Sequence, residues 1–354
     1  MLTSSSIKQQ ARALGFDLCG IAPATALPEL AALPEWLARG YAGEMRYLSH
    51  TAHTRGDIRR FLPGAQSVIV TGSIYFTGNP PLEPEPAADR VEVARYAWGE
   101  DYHRVISERL EQLLAWMRET HGAAIDAKIF VDKHHVQERV YARHAGLGWI
   151  GKNACVINPE LGSWFLIGGI ACDLPLPADA PGTDQCGSCT LCIDACPTAA
   201  IVDAHVVDAT RCISYLTIEV DGAIPEEARP GIGSHLFGCD VCQEVCPWNL
   251  APLPSNDPAW QPRGGRDGAR ASELWQRDDR ALHGFVAGSA MTYQALSRLR
   301  RNLAVVIGNS GDTEAVAALE RPGQAVRNAA PSADAPVVEE HVAWARRRVK
   351  HGSS

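Results

Sequence analysis

Eleven cysteines are present in the chain, and eight of them lie between residues 186 and 246, seven in two dense runs that each end in Cys-Pro. The first run has the spacing C-x2-C-x2-C-x3-C-P and the second C-x2-C-x3-C-P, with one cysteine alone between them. In chain order the eight are Cys186, Cys189, Cys192, Cys196, Cys212, Cys239, Cys242 and Cys246. Two 4Fe–4S clusters need four thiolate ligands each, and this spacing is typical of such a pair. The array therefore predicts a chain that transfers single electrons.

Crossed ligation is the arrangement that these spacings favour, because the fourth cysteine of one run binds the cluster of the other run. It predicts that cluster one is held by Cys186, Cys189, Cys192 and Cys246. It predicts that cluster two is held by Cys239, Cys242, Cys196 and the isolated Cys212. Structural zinc is the alternative, since CxxC pairs also bind zinc, but a zinc site usually takes two such pairs. The other three cysteines lie in apolar, strand-like segments and are expected to be packed small residues: Cys19, Cys155 and Cys172.

The composition is that of an ordinary globular protein, with 46% hydrophobic and 21% charged residues over 354 positions. A chain of this length suggests two or three domains. Its net charge of −8 gives no overall reason to expect nucleic-acid binding. No signal-peptide stretch and no long apolar run are recognisable, so we expect a cytoplasmic protein without membrane association.

Helical and strand-like patterns alternate in a way that predicts an α+β protein in four segments. Residues 1–175 alternate helices with at least five strands, and residues 176–250 hold the cluster cysteines. Residues 251–290 are a loop-rich connector with several prolines and glycines. Residues 291–354 have the pattern of short helices in series, which resembles a helical-repeat pair.

The C-terminal segment is mildly basic on this acidic background. Arg298, Arg300 and Arg301 stand at the start of a helical pattern, where basic residues can face phosphates. The alternative is a solvated helix face, which short runs of charge form more often.

Asp132 follows a strand-like segment and precedes Lys133, His134 and His135. A carboxyl group at a strand end beside a glycine-rich loop suits a general acid. The alternative is a surface acid that caps the next helix. The adjacent histidines have no third metal ligand at suitable spacing, so we expect them to be solvated.

Residues 146–151 form a glycine-rich loop that continues into Lys152 and Asn153. The loop matches neither the dinucleotide-binding fingerprint nor the P-loop, which ends in Lys-Ser or Lys-Thr. Glycines of this kind indicate a close approach of the backbone to something else, and Lys152 could meet a phosphate. A plain turn between a helix and a strand is the alternative.

These motifs together resemble the epoxyqueuosine reductases, cobalamin-dependent iron–sulfur enzymes of queuosine biosynthesis. The resemblance runs from the N-terminal helix to the tail. Its most specific stretches are residues 139–153 (RVYARHAGLGWIGKN), the eight cysteines, residues 211–219 (RCISYLTIE), and Arg301-Asn302 with Gly308-Asn309. It implies an N-terminal α/β cobalamin-binding domain similar to that of reductive dehalogenases, a bacterial ferredoxin-like domain with two 4Fe–4S clusters, and a HEAT-like α-helical tail.

The activity that the resemblance implies is the last step of queuosine biosynthesis, in which epoxyqueuosine at the wobble position of tRNA loses its epoxide oxygen. It makes Asp132 the proton donor beside the cobalamin and makes the tail arginines tRNA contacts. Further cobalamin contacts implied by motif are Arg55, Lys152, Ser214, Asp240 and Val241. The family commonly has Asp-Ser-Ala-Pro where this chain has Asp132-Lys-His-His135, so the donor is kept beside bulkier and more basic neighbours.

Chemistry supports this combination. Reductive opening of an epoxide needs a strong reductant or nucleophile and an acid for the leaving oxygen, which Co(I), two clusters and a carboxylic acid would supply. The lower-ligand pattern Asp-x-His-x-x-Gly is missing, because Asp101-Tyr102-His103 is followed by Ile106 in the glycine position. We therefore expect base-off cobalamin with no protein histidine below the cobalt.

The expected partners are the anticodon stem–loop of a tRNA and a low-potential electron donor such as a flavodoxin or ferredoxin, and the expected state is a monomer. Two other functions remain open on the residues alone. One is a corrinoid iron–sulfur reductase of a small molecule, similar to a reductive dehalogenase. The other is an electron-transfer module of ferredoxin type.

Overall fold

The N-terminal part is built around a four-stranded antiparallel sheet. The computed structural model describes residues 2–78, 87–319 and 335–352. The sheet has the order β1–β2–β7–β4, and its strands are β1 (Leu18–Pro23), β2 (Ser67–Ile74), β7 (Phe165–Cys172) and β4 (Ala127–Phe130). Every residue of β2 is buried, which agrees with its run of β-branched residues. The predicted α+β organisation is confirmed for this part of the chain.

The longest helix against this sheet is α5 (Tyr102–His121), which begins at the site described below. The Asp101 side chain caps it by accepting a hydrogen bond from the His103 amide, and Gly122 ends it with a φ of 72°. Its buried face is Val105, Ile106, Leu110, Leu113, Leu114 and Met117. Burial of this face fixes the helix, so Tyr102 and His103 project from a rigid end.

The remaining elements surround this sheet and form the later parts of the chain. The described residues contain six further strands of two or three residues each: β3 (Glu92–Val93), β5 (Trp149–Ile150), β6 (Val156–Ile157), β8 (Ile201–Asp203), β9 (Val206–Val207) and β10 (His235–Phe237). The other helices before residue 250 are α1 (Ser4–Ala13), α2 (Ala32–Ala38), α3 (Arg46–Arg55), α4 (Ile58–Phe61), α6 (Glu138–His144), α7 (Leu191–Asp194), α8 (Ile213–Ile218), α9 (Arg229–Ile232) and α10 (Val241–Glu244). Those after it are α11 (Ala271–Gln276), α12 (Asp279–Val286), α13 (Leu296–Asn309), α14 (Thr313–Ala318) and α15 (Ala335–Gly352). Short 3₁₀ helices span Pro28–Ala31, Arg95–Ala97, Ala209–Arg211, Pro247–Asn249 and Ala290–Tyr293.

A second hydrophobic core joins segments that the sequence analysis assigned to different domains. Val91, Val93 and Trp98 leave the N-terminal part and pack with residues of α8, β10, α11, α13 and α15. The strand β3 pairs in parallel with β10, which fixes this exchange. The segment 251–290, expected to be loop-rich, contributes α11 and α12 to the same core. The predicted boundaries therefore do not separate independent cores, because each segment is too short to bury its apolar face alone.

The basic start of α13 is buried, which corrects the prediction that it faces tRNA. Arg301 is 0% exposed and donates hydrogen bonds to the carbonyls of Leu216, Val220 and Gly222 at 2.7–3.1 Å. Arg300 is 8% exposed and donates to the Asp279 carboxylate at 2.7 Å. Both guanidinium groups therefore hold α13 to its neighbours and are closed to a phosphate.

Arg298 is the third arginine of this run and is more accessible than the other two. Its side chain is 21% exposed, and it donates to the Ile218 carbonyl at 2.9 Å and lies 3.3 Å from the Asp221 carboxylate. A contact between Arg298 and tRNA stays a prediction.

The other residues of the tail motif are structural in the same way. Asn302 is fully buried and donates to the carbonyls of Thr217 and Leu236. A Cβ atom on Gly308 would lie 2.8 Å from Ala345, so glycine allows α15 to cross closely over α13. Among the residues that the structure describes, no helix is both long and apolar enough to cross a bilayer.

We predict that Arg301→Met destabilises the protein by roughly 2 kcal/mol or more, because three buried carbonyls lose their donor. The melting temperature of the cluster-loaded protein should fall by several degrees. Arg280→Met, at an exposed position of α12, is the matched control and should leave it unchanged. A normal melting temperature together with weakened tRNA binding would show that Arg301 contacts tRNA after all.

Candidate active site and cluster centre

Asp132 lies just beyond the end of β4 in an unusual backbone conformation. Its φ is 46°, in the left-handed region that few residues other than glycine, asparagine and aspartate adopt. The next helix, α6, begins at Glu138 with Gln137 in the capping position, so Asp132 does not cap it. The structure therefore rejects the helix-cap alternative and leaves the carboxyl group free for another role.

Two side chains from the first turn of α5 hold one oxygen of this carboxyl group. The Tyr102 hydroxyl donates to Asp132 Oδ2 at 2.6 Å, and His103 Nε2 lies 3.0 Å from the same atom. The other ring nitrogen, Nδ1, lies 2.8 Å from Asp101 Oδ1. The Tyr102 and His103 rings are stacked with centroids 4.0 Å apart, which fixes both donors together. In the described part of the chain, no hydrogen bond is made to the second oxygen, Asp132 Oδ1.

These contacts shift the pKa values of Asp132 and His103 in opposite directions. Burial alone would raise the pKa of Asp132, but hydrogen bonds from His103 and Tyr102 outweigh burial and lower it. Burial alone would lower the pKa of His103, but its hydrogen bonds to Asp101 and Asp132 outweigh burial and raise it. Both shifts favour a proton on His103, between the carboxyl groups of Asp101 and Asp132, over a proton on Asp132.

Glu138 supports the loop from the other side. Its carboxyl accepts a hydrogen bond from the Asp132 amide. Burial, followed by the charge of Asp132, raises the pKa of Glu138 to about 8. A protonated Glu138 avoids placing a second negative charge beside the Asp132 carboxylate.

Tyr96 connects the surroundings of Asp132 with those of the second cysteine run. The Asp132 side chain is 57% exposed. The negative charges that act on the Tyr96 hydroxyl are those of Asp132, Asp240 and Glu219. Tyr96 packs edge-on against Tyr102, with centroids 5.9 Å apart. The Tyr96 region, meaning Tyr96 with Asp132, Glu219 and Asp240 around it, therefore joins the two parts of the predicted site.

Two of the residues predicted to contact cobalamin, Arg55 and Asp240, lie close enough to Asp132 or Tyr96 to interact electrostatically with them. Arg55 ends α3, is 8% exposed and donates to the Val136 carbonyl at 3.1 Å. Asp240 is buried and accepts a hydrogen bond from the Arg95 amide at 2.7 Å, and burial raises its pKa to about 7. Val241 begins α10 beside it, and Ser214 lies in α8; both are half-buried.

Lys152 differs from these residues. Its ammonium donates to the carbonyls of Gly187 and Cys189 at 2.7 and 2.9 Å. Lys152 therefore holds the loop of the first cysteine run, and its contact with cobalamin stays a prediction without a supporting distance.

The electrostatic neighbours of the cysteines fall into the two predicted groups. The Cys192 thiol is influenced by Cys186, Cys246 and Cys189, which are the other members of predicted cluster one. The Cys239 thiol is influenced by Cys212 and Cys196 of predicted cluster two. Backbone amides of Ser214 and Tyr215 also point at Cys212. Such amide-to-sulfur hydrogen bonds stabilise a cluster ligand and raise the reduction potential of the cluster.

The three further cysteines have different surroundings. Cys172 is fully buried and Cys19 packs partly buried against the N-terminal core, as predicted. Cys155 lies beside the Cys242 thiol, a neighbour that its apolar sequence context did not indicate. The Asn153 amide donates to the Cys242 carbonyl at 3.1 Å and its oxygen accepts from the Cys155 amide, which brings the two thiols together.

The glycine-rich loop is explained by contacts within the chain. A Cβ atom on Gly148 would lie 2.1 Å from the Ile157 carbonyl oxygen, and one on Gly146 2.8 Å from the Ala180 carbonyl oxygen. Both glycines let the loop approach neighbouring backbone. The predicted close approach is therefore to the protein itself.

Sequence reasoning missed Tyr102, His103, Glu138 and Tyr293 as members of the site. Asp101-Tyr102-His103 was considered only as a possible cobalt-ligand motif, although an aspartate followed two residues later by histidine at a helix start is also a signal for a capped, charged pair. Tyr293 donates from its hydroxyl to Asp101 Oδ2 at 2.8 Å, and no local pattern announces a contact across 192 residues.

Comparison with known proteins gives consistent matches. A family model described as epoxyqueuosine reductase QueG, DUF1730 matches residues 55–133, and a 4Fe–4S double cluster binding domain matches residues 185–249. The epoxyqueuosine reductase of Xanthomonas campestris is 40% identical over 97% of this chain and 95% of its own length. That of Pseudomonas aeruginosa is 41% identical over 99% of this chain and 95% of its own length.

Solved structures agree with these matches. A crystal structure of epoxyqueuosine reductase with a tRNA-Tyr epoxyqueuosine-modified stem loop has a TM-score of 0.88 at 28% identity, over 98% of this chain and 89% of that one. The Bacillus subtilis epoxyqueuosine reductase, solved with its catalytic aspartate loop swung out of the active site, has a TM-score of 0.85 at 26% identity, over 98% of this chain and 90% of that one.

Crossed ligation predicts the effect of single cysteine removals. Cys212→Ala should remove cluster two and keep cluster one, whereas Cys246→Ala should remove cluster one although it lies in the second run. The measurement is iron and sulfide content together with the electron paramagnetic resonance of the reduced protein. Cys19→Ala is the control and should retain both clusters. Loss of the same cluster in both variants would contradict the crossed arrangement.

Proposed function

The chain belongs to the epoxyqueuosine reductase family, and on that premise we propose that it reduces epoxyqueuosine in tRNA to queuosine. Supporting this are the identity of about 40% over nearly the whole chain and the exposed Asp132 carboxyl group held by Tyr102 and His103. The reaction consumes two electrons and two protons, converts the epoxide to an alkene and releases the oxygen as water. The chain is accordingly an oxidoreductase, and the substrate class is a modified base in a tRNA stem–loop.

Two 4Fe–4S clusters supply the electrons in this proposal. The double-cluster match spans all eight cysteines, and the electrostatic neighbours of Cys192 and of Cys239 belong to the two predicted groups. The second group includes the cysteines that flank Asp240 and Val241, so cluster two would lie nearer the Tyr96 region. A low-potential flavodoxin or ferredoxin would reduce the clusters, and the protein would act as a monomer.

Cobalamin is the proposed cofactor of the Tyr96 region, and the residues present fit such a group. Tyr96 and Tyr102 supply aromatic rings there, and the half-buried Ser214 and Val241 lie within two residues of the cluster ligands Cys212 and Cys242. Arg55, Ser214, Asp240 and Val241 would hold the cofactor. When bound, cobalamin supplies a low-potential Co(I) centre that is a strong nucleophile and reductant.

The chain's own residues supply the proton. The pKa of Asp132 is lowered and that of His103 is raised, so the proton is favoured on His103, whose Nε2 lies 3.0 Å from Asp132 Oδ2. As the epoxide opens, His103 passes this proton to Asp132 Oδ2, and the protonated carboxyl group donates it to the developing alkoxide. Asp132 is thus the group that touches the substrate, and His103 is its proton store.

The C-terminal helices form the remaining part of the proposal. Helices α13 and α15 pack closely through Gly308, in the manner of a HEAT-like pair. The match to the stem–loop complex includes this segment, since it covers 98% of the chain. We propose that this helical unit helps to hold the tRNA while α13 itself stays buried.

The direct test of the function is anaerobic turnover of tRNA that carries epoxyqueuosine. The cluster- and cobalamin-loaded protein with a chemical low-potential reductant should yield a nucleoside lighter by one oxygen. Unchanged nucleoside mass with both cofactors loaded would refute the proposal.

Asp132→Asn should lower the single-turnover rate by about 10²–10⁴-fold, because the amide cannot donate an acidic proton. Asparagine tolerates the same left-handed backbone, so the loop should stay in place. Cluster and cobalamin absorbance verify loading. Asp126→Asn, an exposed acid at the other end of β4, is the control with a normal rate.

The rate should fall as the pH rises through the raised pKa of His103, because the proton store empties above that pKa. The alkaline limb should therefore lie above the ordinary histidine range of about 6.5. His103→Gln should remove this limb and lower the rate at neutral pH. An unchanged pH profile in His103→Gln would show that the proton comes from another group.

A further inference from the structure

The loop that carries Asp132 is held in a strained conformation by contacts around it. The φ of Asp132 is left-handed, which is unfavourable at residues other than glycine and persists only where neighbours fix it. Tyr102, His103 and Glu138 supply three of these contacts. They come from α5 and α6, which both belong to the N-terminal part.

Lys133 connects the same loop to the other body of the protein. Its ammonium nitrogen lies 3.2 Å from the ring centroid of Tyr293, over the negative face of the ring. Tyr293 ends the 3₁₀ helix Ala290–Tyr293, whose residues Ala290 and Met291 are buried in the second core. The backbone of Tyr293 is therefore anchored by its buried neighbours, while the residue itself is 54% exposed.

The Tyr293 hydroxyl completes a closed circuit of contacts. It donates to Asp101 Oδ2 at 2.8 Å, and Asp101 in turn binds His103, which binds Asp132. The Tyr293 ring also meets the His103 ring edge-on, with centroids 5.0 Å apart. The Tyr293 side chain thus contacts both Lys133, the residue next to Asp132, and His103, the proton store.

We propose that Lys133 and Tyr293 form a latch that holds the Asp132 loop over the active site. Both are positioning residues: they act through Asp132 and do not take part in the chemistry. The proposal rests on the proposed function for the role of Asp132, but the latch itself is a property of the free protein. Release of Lys133 leaves the loop with its N-terminal contacts alone and lets it open more often.

Proteolysis measures the latch without turnover. Trypsin must take the Lys133 side chain into its specificity pocket, so it cuts after Lys133 only when the side chain has left the ring. Cleavage at a rapidly closing site follows the population of the open form. Tyr293→Leu should speed this cleavage by about two- to fivefold, the size of an exposed cation–π contact. Cleavage after Arg39, an exposed site, is the internal control for general loosening.

The conservative variant separates the two roles of Tyr293. Tyr293→Phe keeps the ring face and loses the hydroxyl, so cleavage after Lys133 should stay close to that of the unmodified protein. The same variant removes a donor from Asp101 and should shift the alkaline limb of the rate profile. Equal cleavage rates in Tyr293→Leu and Tyr293→Phe would overturn the cation–π latch.

Variants of Lys133 test the loop itself. Lys133→Met and Lys133→Ser should raise hydrogen exchange of the amides of residues 131–137, whereas Lys133→Arg should preserve their protection. The double variant Lys133→Met with Tyr293→Leu should open the loop no further than either single variant, because both remove one contact. Additive effects would overturn the pairing.

Turnover distinguishes a latch from a tRNA contact. Loss of the latch should lower kcat equally in Lys133→Met and Tyr293→Leu, and by less than twofold because the closed form stays in the majority, with KM for tRNA unchanged. A phosphate contact would instead raise KM and reduce the salt dependence in Lys133→Met alone. That result, with unchanged exchange of residues 131–137, would overturn the proposal. Absence of turnover in the loaded unmodified protein and in every variant, with the expected cleavage and exchange, would refute the proposed function and leave the latch standing.

Discussion

The parallel pairing of β3 with β10 is the contact on which the arrangement of the site depends. It takes residues 91–98 out of the N-terminal part and packs them in the core formed by the later helices. Tyr96 lies in this segment, packs against Tyr102, and has a hydroxyl on which both Asp132 and Asp240 act. Because buried cores fix the N-terminal part and the later helices, the position of Tyr96 relative to these carboxyl groups is set by packing and not by a flexible linker.

The pKa shifts of the ionisable side chains then indicate the role of each one at the site. A carboxyl group that must donate a proton is usually kept neutral by burial, as Glu138 is here. Asp132 is treated in the opposite way, with two donors on one oxygen and a lowered pKa. The proton is held on an imidazole between two carboxylates, where protonation does not require a carboxylic acid to persist at neutral pH. The pair Asp132 and His103 is thus the functional unit.

Much of this site could be predicted from residue types and spacing, and some of it could not. The cysteine array was readable because cluster ligation demands fixed short spacings, and Asp132 stood out at the end of a strand. The buried arginines were misread because a local charge pattern indicates a surface, whereas their carbonyl partners at Leu216 and Val220 come from about 80 residues away. The second core could not be predicted either, because its members are also far apart in the sequence. In addition, a two-residue strand such as β3 is too short to show a hydrophobic periodicity.

The backbone of Asp132 explains why this position takes the shorter of the two acidic residues. The φ of 46° suits aspartate and asparagine, whose short side chains tolerate the left-handed region, and it disfavours glutamate. Glutamate would also place its carboxyl group one methylene further from the backbone, away from the hydrogen-bonding positions of Tyr102 and His103. Aspartate therefore meets both requirements of this position, a carboxyl group that can ionise and a backbone that can adopt this φ. The identity of the residue is fixed by geometry as well as by chemistry.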